Sequence, residues 1–159
     1  MRFLVVALSA LVVSPLAHAA DGDSIDSAVK AIYEVISGPA GDRDWTRFRA
    51  LFIDGARLIP VRSGAPQVWT PDEYAKRAGA SFEKQAFYET GVAERLETFG
   101  NIAHVFSTYE SRRAPGDKPF ARGINSFQLA KVGDTWKIVT ILWDSERPDN
   151  PIPEKYLPK

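Results

Sequence analysis

The second half of the chain consists of four long segments rich in aromatic and β-branched residues, the side chains that pack best in strands. These segments cover residues 86–98, 101–113, 119–131 and 135–145. Turn-forming residues separate them, at Phe99 to Asn101, Ala114 to Asp117 and Gly133 to Asp134. The pattern predicts a meander of antiparallel hairpins, and the rest of the chain must then supply the layer that packs on this sheet.

The first half is predicted to form three helices around one short strand. Residues that suit helix N-caps stand at Ser24, at Asp42 or Asp44, and at Thr70. Pro71 and Glu73 strengthen the third helix, because proline suits the first helical position and a Thr-x-x-Glu pattern forms a capping box. We expect this helix to reach about Lys84. The strand is predicted over residues 56–62, followed by a loop.

This order of elements predicts an α+β fold. We expect three helices packed on the concave side of a curved antiparallel sheet of about five strands, a cystatin-like cone. The folded domain is predicted over residues 20–146. Residues 147–159 contain four prolines and are predicted to form an extended tail across the surface.

The predicted strands carry apolar residues on both alternations. In the last strand Ile141 and Trp143 face one way, whereas Leu142 faces the other. A sheet with one solvated face would alternate more cleanly between apolar and polar residues. The second face is therefore expected either to be covered by the same chain or to pair with another subunit. If it pairs, the partner we expect is a second copy of the chain, which gives a homodimer.

The first 19 residues have the three parts of a secretory signal peptide. Arg2 supplies the positive charge, residues 3–13 form an apolar run, and Ala17-His18-Ala19 offers a small-x-small cleavage pattern. The apolar run is shorter than a membrane span needs. We expect cleavage after Ala19, a periplasmic or secreted location, and no membrane insertion afterwards.

The remaining residues exclude several kinds of chemistry. Basic and acidic residues are balanced, so no electrostatic footprint for nucleic acid is expected. The chain has no cysteine, and cleavage would remove His18 and leave His104 as the one histidine. Disulfides, thiolate nucleophiles and His-rich metal sites are therefore excluded. No phosphate-binding, dinucleotide or zinc motif is present, and we expect neither cofactor nor metal.

Three segments resemble the nuclear transport factor 2-like superfamily, which includes ketosteroid isomerase and the SnoaL-like proteins. They are residues 31–61, with a Leu-Phe-x-Asp-x-Ala turn, residues 70–77 with the capping box, and the closing residues 122–157. The resemblance implies a deep pocket between sheet and helices. It also implies a tyrosine on helix one as oxyanion donor, near the place of Tyr33, and a general base on the first strand. The position of that base falls on Pro60, which disfavours isomerisation by that mechanism.

His104 and Tyr33 are the candidate catalytic residues. His104 can serve as a general acid or base, a common role of histidine side chains, or it can be an ordinary half-buried strand histidine. Arg122 and Asn125 lie on opposite alternations of one strand, so one of them is expected to face the pocket. The candidate ligand-binding residues are mostly aromatic: Trp69, Tyr74, Tyr88, Phe106, Tyr109, Asn125 and Trp143.

Three functions remain open from the sequence. The first is an exported pocket domain that binds a small, largely apolar molecule. The second is a SnoaL-like lyase or isomerase that uses His104 with Tyr33, Asn125 or Glu89 as polar partners. The third is a homodimerisation module without activity. Convergence of these polar side chains in an enclosed cavity would favour the enzyme, and a cavity filled by aromatic side chains would favour the dimerisation module.

Overall fold

The computed structural model describes residues 20–62 and 64–159 as three helices against a six-stranded sheet. The predicted signal peptide lies outside the described residues. The elements are α1 (Ile25–Ile36), α2 (Trp45–Ala50), β1 (Phe52–Arg62), β2 (Ala65–Pro66), α3 (Pro71–Phe82), β3 (Tyr88–Phe99), β4 (Ile102–Arg112), β5 (Ala121–Val132) and β6 (Thr135–Ser145). A 3₁₀ turn, Glu154–Tyr156, follows in the tail. The predicted α+β class is confirmed.

The strand order is β2-β1-β6-β5-β4-β3. The four long strands form the predicted antiparallel meander. The sheet matches the predicted curved sheet and differs in two details, because β1 pairs with β6 in parallel and the two-residue β2 adds a sixth strand. The connection through α3 carries the chain across the sheet, so β1 joins the far side of the meander. Ala65 and Pro66 then fold back on the end of β1.

The helix starts follow the predicted caps. Ser24 accepts a hydrogen bond from the backbone of Ser27, and Thr70 and Glu73 form a reciprocal capping box. Of the two candidates for the second helix, Asp44 is the cap, accepting from the backbone nitrogen of Arg47 at 2.8 Å. Helix α3 ends at Phe82, two residues before the predicted end. Hydrogen bonding and dipole effects at the caps therefore fix where each helix begins.

The core lies between the helices and one face of the sheet, called here the inner face. Helix α1 buries most of its length there, and Phe48, Phe127 and Ile138 are completely buried. Along β4 the alternation is regular: Val105 is buried on the inner face, whereas His104 faces the other side, called here the outer face. The register therefore decides which side chains can reach an interior site.

The proline-rich tail crosses the outer face of the sheet. The hydroxyl of Thr108 on β4 donates to the backbone oxygen of Tyr156 at 2.6 Å, and the ring of Phe106 packs against that of Tyr156. Ile152, which belongs to the tail, is buried. One part of the outer face is thus covered by the chain itself. No helix within residues 20–62 and 64–159 is long and apolar enough to cross a membrane.

We expect Gly123→Ala to destabilise the domain by about 1–3 kcal/mol, as overpacking of a closed core does. A Cβ at this position would overlap the carbonyl oxygen of Asp144 and lie 2.5 Å from the hydroxyl of Tyr109. Urea unfolding measures the change. Gln128→Ala, an exposed position on the same strand, is the control and should change stability by less than about 0.5 kcal/mol. Equal effects of the two variants would contradict the proposed crowding.

Candidate functional site

A cavity of about 350 Å³ lies between the inner face and the helices. Eight aromatic side chains contribute to its wall: Phe48, Trp69, Tyr74, Phe82, Phe87, Tyr109, Phe120 and Trp143. The ring of Trp143 meets those of Trp69 and Tyr74 edge-on, with centroids 6.1 Å and 6.2 Å apart. These contacts leave open space between the rings, so the aromatic residues line a half-open cavity without filling it.

The periodicity of two elements places this wall. On α3, Tyr74, Ala78 and Phe82 recur every four residues and face the cavity as one helical stripe. On β6, Ile141 and Trp143 share the inner alternation. Apolar side chains at these spacings are buried because that removes them from water, and the curved sheet keeps the two stripes far enough apart to leave a cavity.

Glu89 brings a carboxylate to this apolar wall. The hydroxyl of Ser111 donates to Glu89 Oε2 at 2.8 Å, and the amide of Asn125 donates to Glu89 Oε1 at 3.5 Å. Burial raises the pKa of Glu89 to about 7, although these two donors act in the opposite direction. The carboxyl group therefore exchanges a proton near neutral pH, which is unusual for glutamate and suits acid–base or charge-linked binding.

Tyr33 joins α1 to the sheet behind this carboxylate. Its hydroxyl lies 2.7 Å from Ser107 Oγ and accepts from the amide of Asn125 at 3.2 Å. Because Ser107 donates its own hydrogen to Glu94, Tyr33 is the donor in the bond with Ser107. Burial raises the pKa of Tyr33 well above its usual value. Its proton is thus held within the wall rather than offered to the cavity.

An acidic groove of about 590 Å³ lies on the other side of this wall, between α1 and β3. Glu89 borders both the cavity and the groove. The charged residues along the groove are Asp26, Lys30, Glu34, Glu89 and Glu94. Carboxylates outnumber the single lysine, so the electrostatic potential on this side of the site favours cations.

His104 is not part of this site. It lies on the outer face, where its Nε2 is 3.2 Å from Ser126 Oγ and its Nδ1 is 4.0 Å from the carboxylate of Glu97. Its ring also packs against Phe106. The structure therefore separates His104 from Tyr33, and the two candidate catalytic side chains are not brought together.

The other candidate residues divide between the two faces. Trp69, Tyr74, Tyr109 and Trp143 line the cavity, and Asn125 faces inward beside it. Phe106 lies on the outer face, in a second cavity of about 440 Å³ beneath the tail. Tyr88 pairs with Arg112 on the outer alternation of β3 and borders the acidic groove. Arg122 also faces outward, 3.6 Å from the carboxylates of Glu110 and Glu146.

Sequence reasoning did not single out Ser107 and Ser111, and it gave Glu89 only a supporting role. A signal for the two serines exists, because they share the inner alternation of β4 with Tyr109 and Val105. Small hydroxyl residues within a buried stripe need hydrogen-bond partners, and Glu89 stands opposite Ser111 in the register. The pairing of β3 with β4 brings Glu89 opposite Ser111, and the sequence alone does not determine this register.

Pro60 occupies the inner alternation of β1, opposite Trp143, and is fully buried. The resemblance places the general base of the isomerases at this position. A proline ring carries no titratable group, so the first strand contributes no base here. Among the described residues that line the cavity, Glu89 carries the one carboxyl group and is therefore the candidate for proton transfer.

This arrangement is the nuclear transport factor 2-like fold, an α+β cone with helices closing one face of a curved sheet. A protein of unknown function with a cystatin-like fold from Nostoc punctiforme has a TM-score of 0.63 to this chain at 10% identity. The aligned region covers 78% of this chain and 90% of that protein. A candidate dehydratase of the same fold from Streptomyces avermitilis has a TM-score of 0.61 at 14% identity, covering 80% and 96%.

A candidate ketosteroid isomerase from Shewanella frigidimarina has a TM-score of 0.53 at 17% identity, covering 74% of this chain and 91% of its own. No protein-family model matches the chain, and no curated protein is significantly similar to it. At these identities the likeness establishes the fold, and the function must be argued from the site itself.

The raised pKa of Glu89 predicts a pH-dependent loss of stability. The folded domain holds the proton of Glu89 more tightly than the unfolded chain does, because the pKa of this carboxyl is near 4.5 when the chain is unfolded. The contribution of Glu89 to the unfolding free energy therefore falls by about 2–3 kcal/mol as pH rises from about 4.5 to about 7. Denaturant unfolding of the wild type and of Glu89→Gln across this range measures the difference. Parallel curves would show that Glu89 has an ordinary pKa.

Proposed function

We propose that the inner cavity binds a small, largely apolar molecule that carries one polar group. The observation that supports this most directly is a half-open, mostly apolar space of about 350 Å³ with the carboxyl of Glu89 in its wall. Ligand sites typically combine an apolar lining with a few fixed polar groups that set orientation. Here Ser111 and Asn125 hold the carboxylate in place.

A lyase or isomerase reaction in the same cavity is supported less well. The candidate dehydratase and the candidate isomerase share only the fold. With His104 on the outer face and Pro60 on the first strand, a reaction would depend on Glu89 as its one acid or base. The oxyanion role is also unsupported, because Tyr33 donates to Ser107.

The prediction for this proposal uses a substitution that fills the cavity. Ala78 lines the cavity from α3, and Ala78→Phe places a ring in the space. We expect it to abolish the fluorescence enhancement of N-phenyl-1-naphthylamine, a small neutral dye, that the wild type produces. Ala80→Phe, on the exposed side of the same helix, is the control and should retain the enhancement. Circular dichroism confirms that both variants fold.

An unchanged dye signal in Ala78→Phe would place the dye elsewhere on the protein. Absence of any enhancement in the wild type would contradict an accessible apolar cavity. The dye carries no charge at neutral pH, so this experiment tests the cavity without involving Glu89.

We also propose that the outer face pairs with a second copy of the chain. At one end of this face Phe99, Ile102 and Val132 are 84%, 60% and 56% exposed. They share the outer alternation of neighbouring hairpins, beyond the part that the tail covers. Exposed apolar side chains grouped in this way are typical of protein interfaces.

We expect a homodimer in sedimentation equilibrium and at least a tenfold weaker dimer, by an order-of-magnitude estimate, when Ile102→Lys places a charge in the interface. Ala80→Lys, on the helical side of the domain, is the control and should leave the dimer intact. A monomeric wild type at micromolar concentration would contradict this interface.

We place these activities in the periplasm or outside the cell. This part of the proposal depends on residues 1–19 alone, whose composition is that of a cleaved signal peptide.

A further inference from the structure

We infer that the ligand of the inner cavity is an aromatic or aliphatic amine, bound as a cation against the carboxylate of Glu89. The inference rests on the proposed function and specifies the polar group of the ligand. It is drawn from three features of the site: the hydrogen bonds that Glu89 receives, the lack of a cation beside it, and the aromatic rings around it.

The neighbours of Glu89 are arranged for an anion. Ser111 and Asn125 both donate to its oxygens, at 2.8 Å and 3.5 Å. A protonated carboxyl group would instead need an acceptor for its own hydrogen, whereas Ser111 and Asn125 act here as donors. The site therefore provides hydrogen bonds to the charged state, although burial opposes that state.

A positive partner for this carboxylate is lacking within residues 20–62 and 64–159. None of the ion pairs in that part of the chain, defined by nitrogen and oxygen within 4.0 Å, includes Glu89. The cation that lines this cavity is Arg77, whose guanidinium lies over the ring of Trp69 at 5.2 Å from its centroid. Glu89 is half-buried in an apolar wall, and carboxylates in such surroundings are normally paired, so the missing positive charge is the property we assign to the ligand.

The aromatic wall suits an ammonium group. Tyr74, Tyr109 and Trp143 line the same cavity as Glu89, and aromatic faces attract cations through their quadrupole. The acidic groove behind the wall adds negative potential on the same side. A carboxylate ligand would be repelled by the carboxylate of Glu89. A neutral alcohol would leave the charge of Glu89 unpaired.

The titratable groups around Glu89 do not compete for its charge near neutral pH. Burial raises the pKa of Tyr109 to about 12 and raises those of Tyr33 and Tyr74 further, so all three phenols stay neutral. The pKa of Glu94 is also raised by burial. The groups that face Glu89 are Tyr33 on α1, Tyr74 and Arg77 on α3, Glu94 on β3 itself and Tyr109 on β4.

The test compares three indoles of nearly equal shape by titration calorimetry: tryptamine, a cation; tryptophol, a neutral alcohol; and indole-3-acetate, an anion. At about pH 8 we expect tryptamine to bind the wild type about tenfold to a hundredfold more tightly than tryptophol, as a charge-assisted hydrogen bond does. Indole-3-acetate should bind least. In Glu89→Gln the preference for tryptamine should disappear, whereas Glu97→Gln, at an exposed position on the outer face of the same strand, should keep it.

The pH profile of the wild type gives a second readout that needs no variant. Tryptamine stays charged up to about pH 10, whereas Glu89 ionises near pH 7, so affinity should rise about tenfold from about pH 6 to about pH 8. Tryptophol affinity should not rise with it. A merely structural role of Glu89 would change stability with pH but would not produce this selectivity between the two ligands.

Equal affinities for tryptamine and tryptophol, a preference that survives in Glu89→Gln, or a flat pH profile would each overturn the amine assignment. If the neutral dye still binds in those cases, the cavity remains a binding site and only the amine is wrong. If neither the dye nor any indole binds, both the amine and the proposed function are wrong.

Discussion

Helix α1 is joined to the sheet by apolar packing and by a buried hydrogen bond, from the hydroxyl of Tyr33 to Ser107 at 2.7 Å. With no cysteine in the chain, packing and buried polar contacts must hold α1 in place. Gly91 on β3 leaves room for this contact, because a Cβ there would lie only 3.0 Å from both the Tyr33 ring and Ser107 Oγ and would press on the pair. Asn125 extends the same network toward Glu89. One set of hydrogen bonds therefore supports both the helix and the wall of the cavity.

The cavity wall combines two opposing physical effects. Aromatic burial stabilises the domain and also removes water from Glu89, which disfavours its charge. Ser111 and Asn125 return part of that cost through hydrogen bonds to the carboxylate. The result is a carboxyl group whose pKa lies near 7, so its charge changes around neutral pH. In a pocket lined by apolar residues alone, no group would change its charge near neutral pH. In a pocket that held its own cation beside the carboxyl, the carboxyl would stay charged at that pH.

Local patterns predicted the elements well, and long-range packing decided the rest. Caps at Ser24 and Thr70 and the turns of the meander depend on neighbouring residues, so the sequence is sufficient for them. The parallel pairing of β1 with β6 joins distant segments and has no local signal. The site shows the same division. Alternation implied that Asn125 and Arg122 face opposite sides, but both sides of the sheet are apolar, so it could not say which was inner. Phe106 faces outward because the tail covers it with Tyr156.

The register of β3 shifts by one residue between Gly91 and Ala93, which leaves Val92 as the extra residue of a bulge. Beyond the bulge Glu94 stands opposite Ser107, on the same face as Glu89 opposite Ser111. A shorter strand lacking Val92 would keep both glutamates on that face and would lose only the bend. Backbone curvature and side-chain chemistry are thus separable here. A lineage could deepen or flatten this groove through single-residue changes in strand length while keeping its acidic character, so groove shape is free to diverge faster than groove charge.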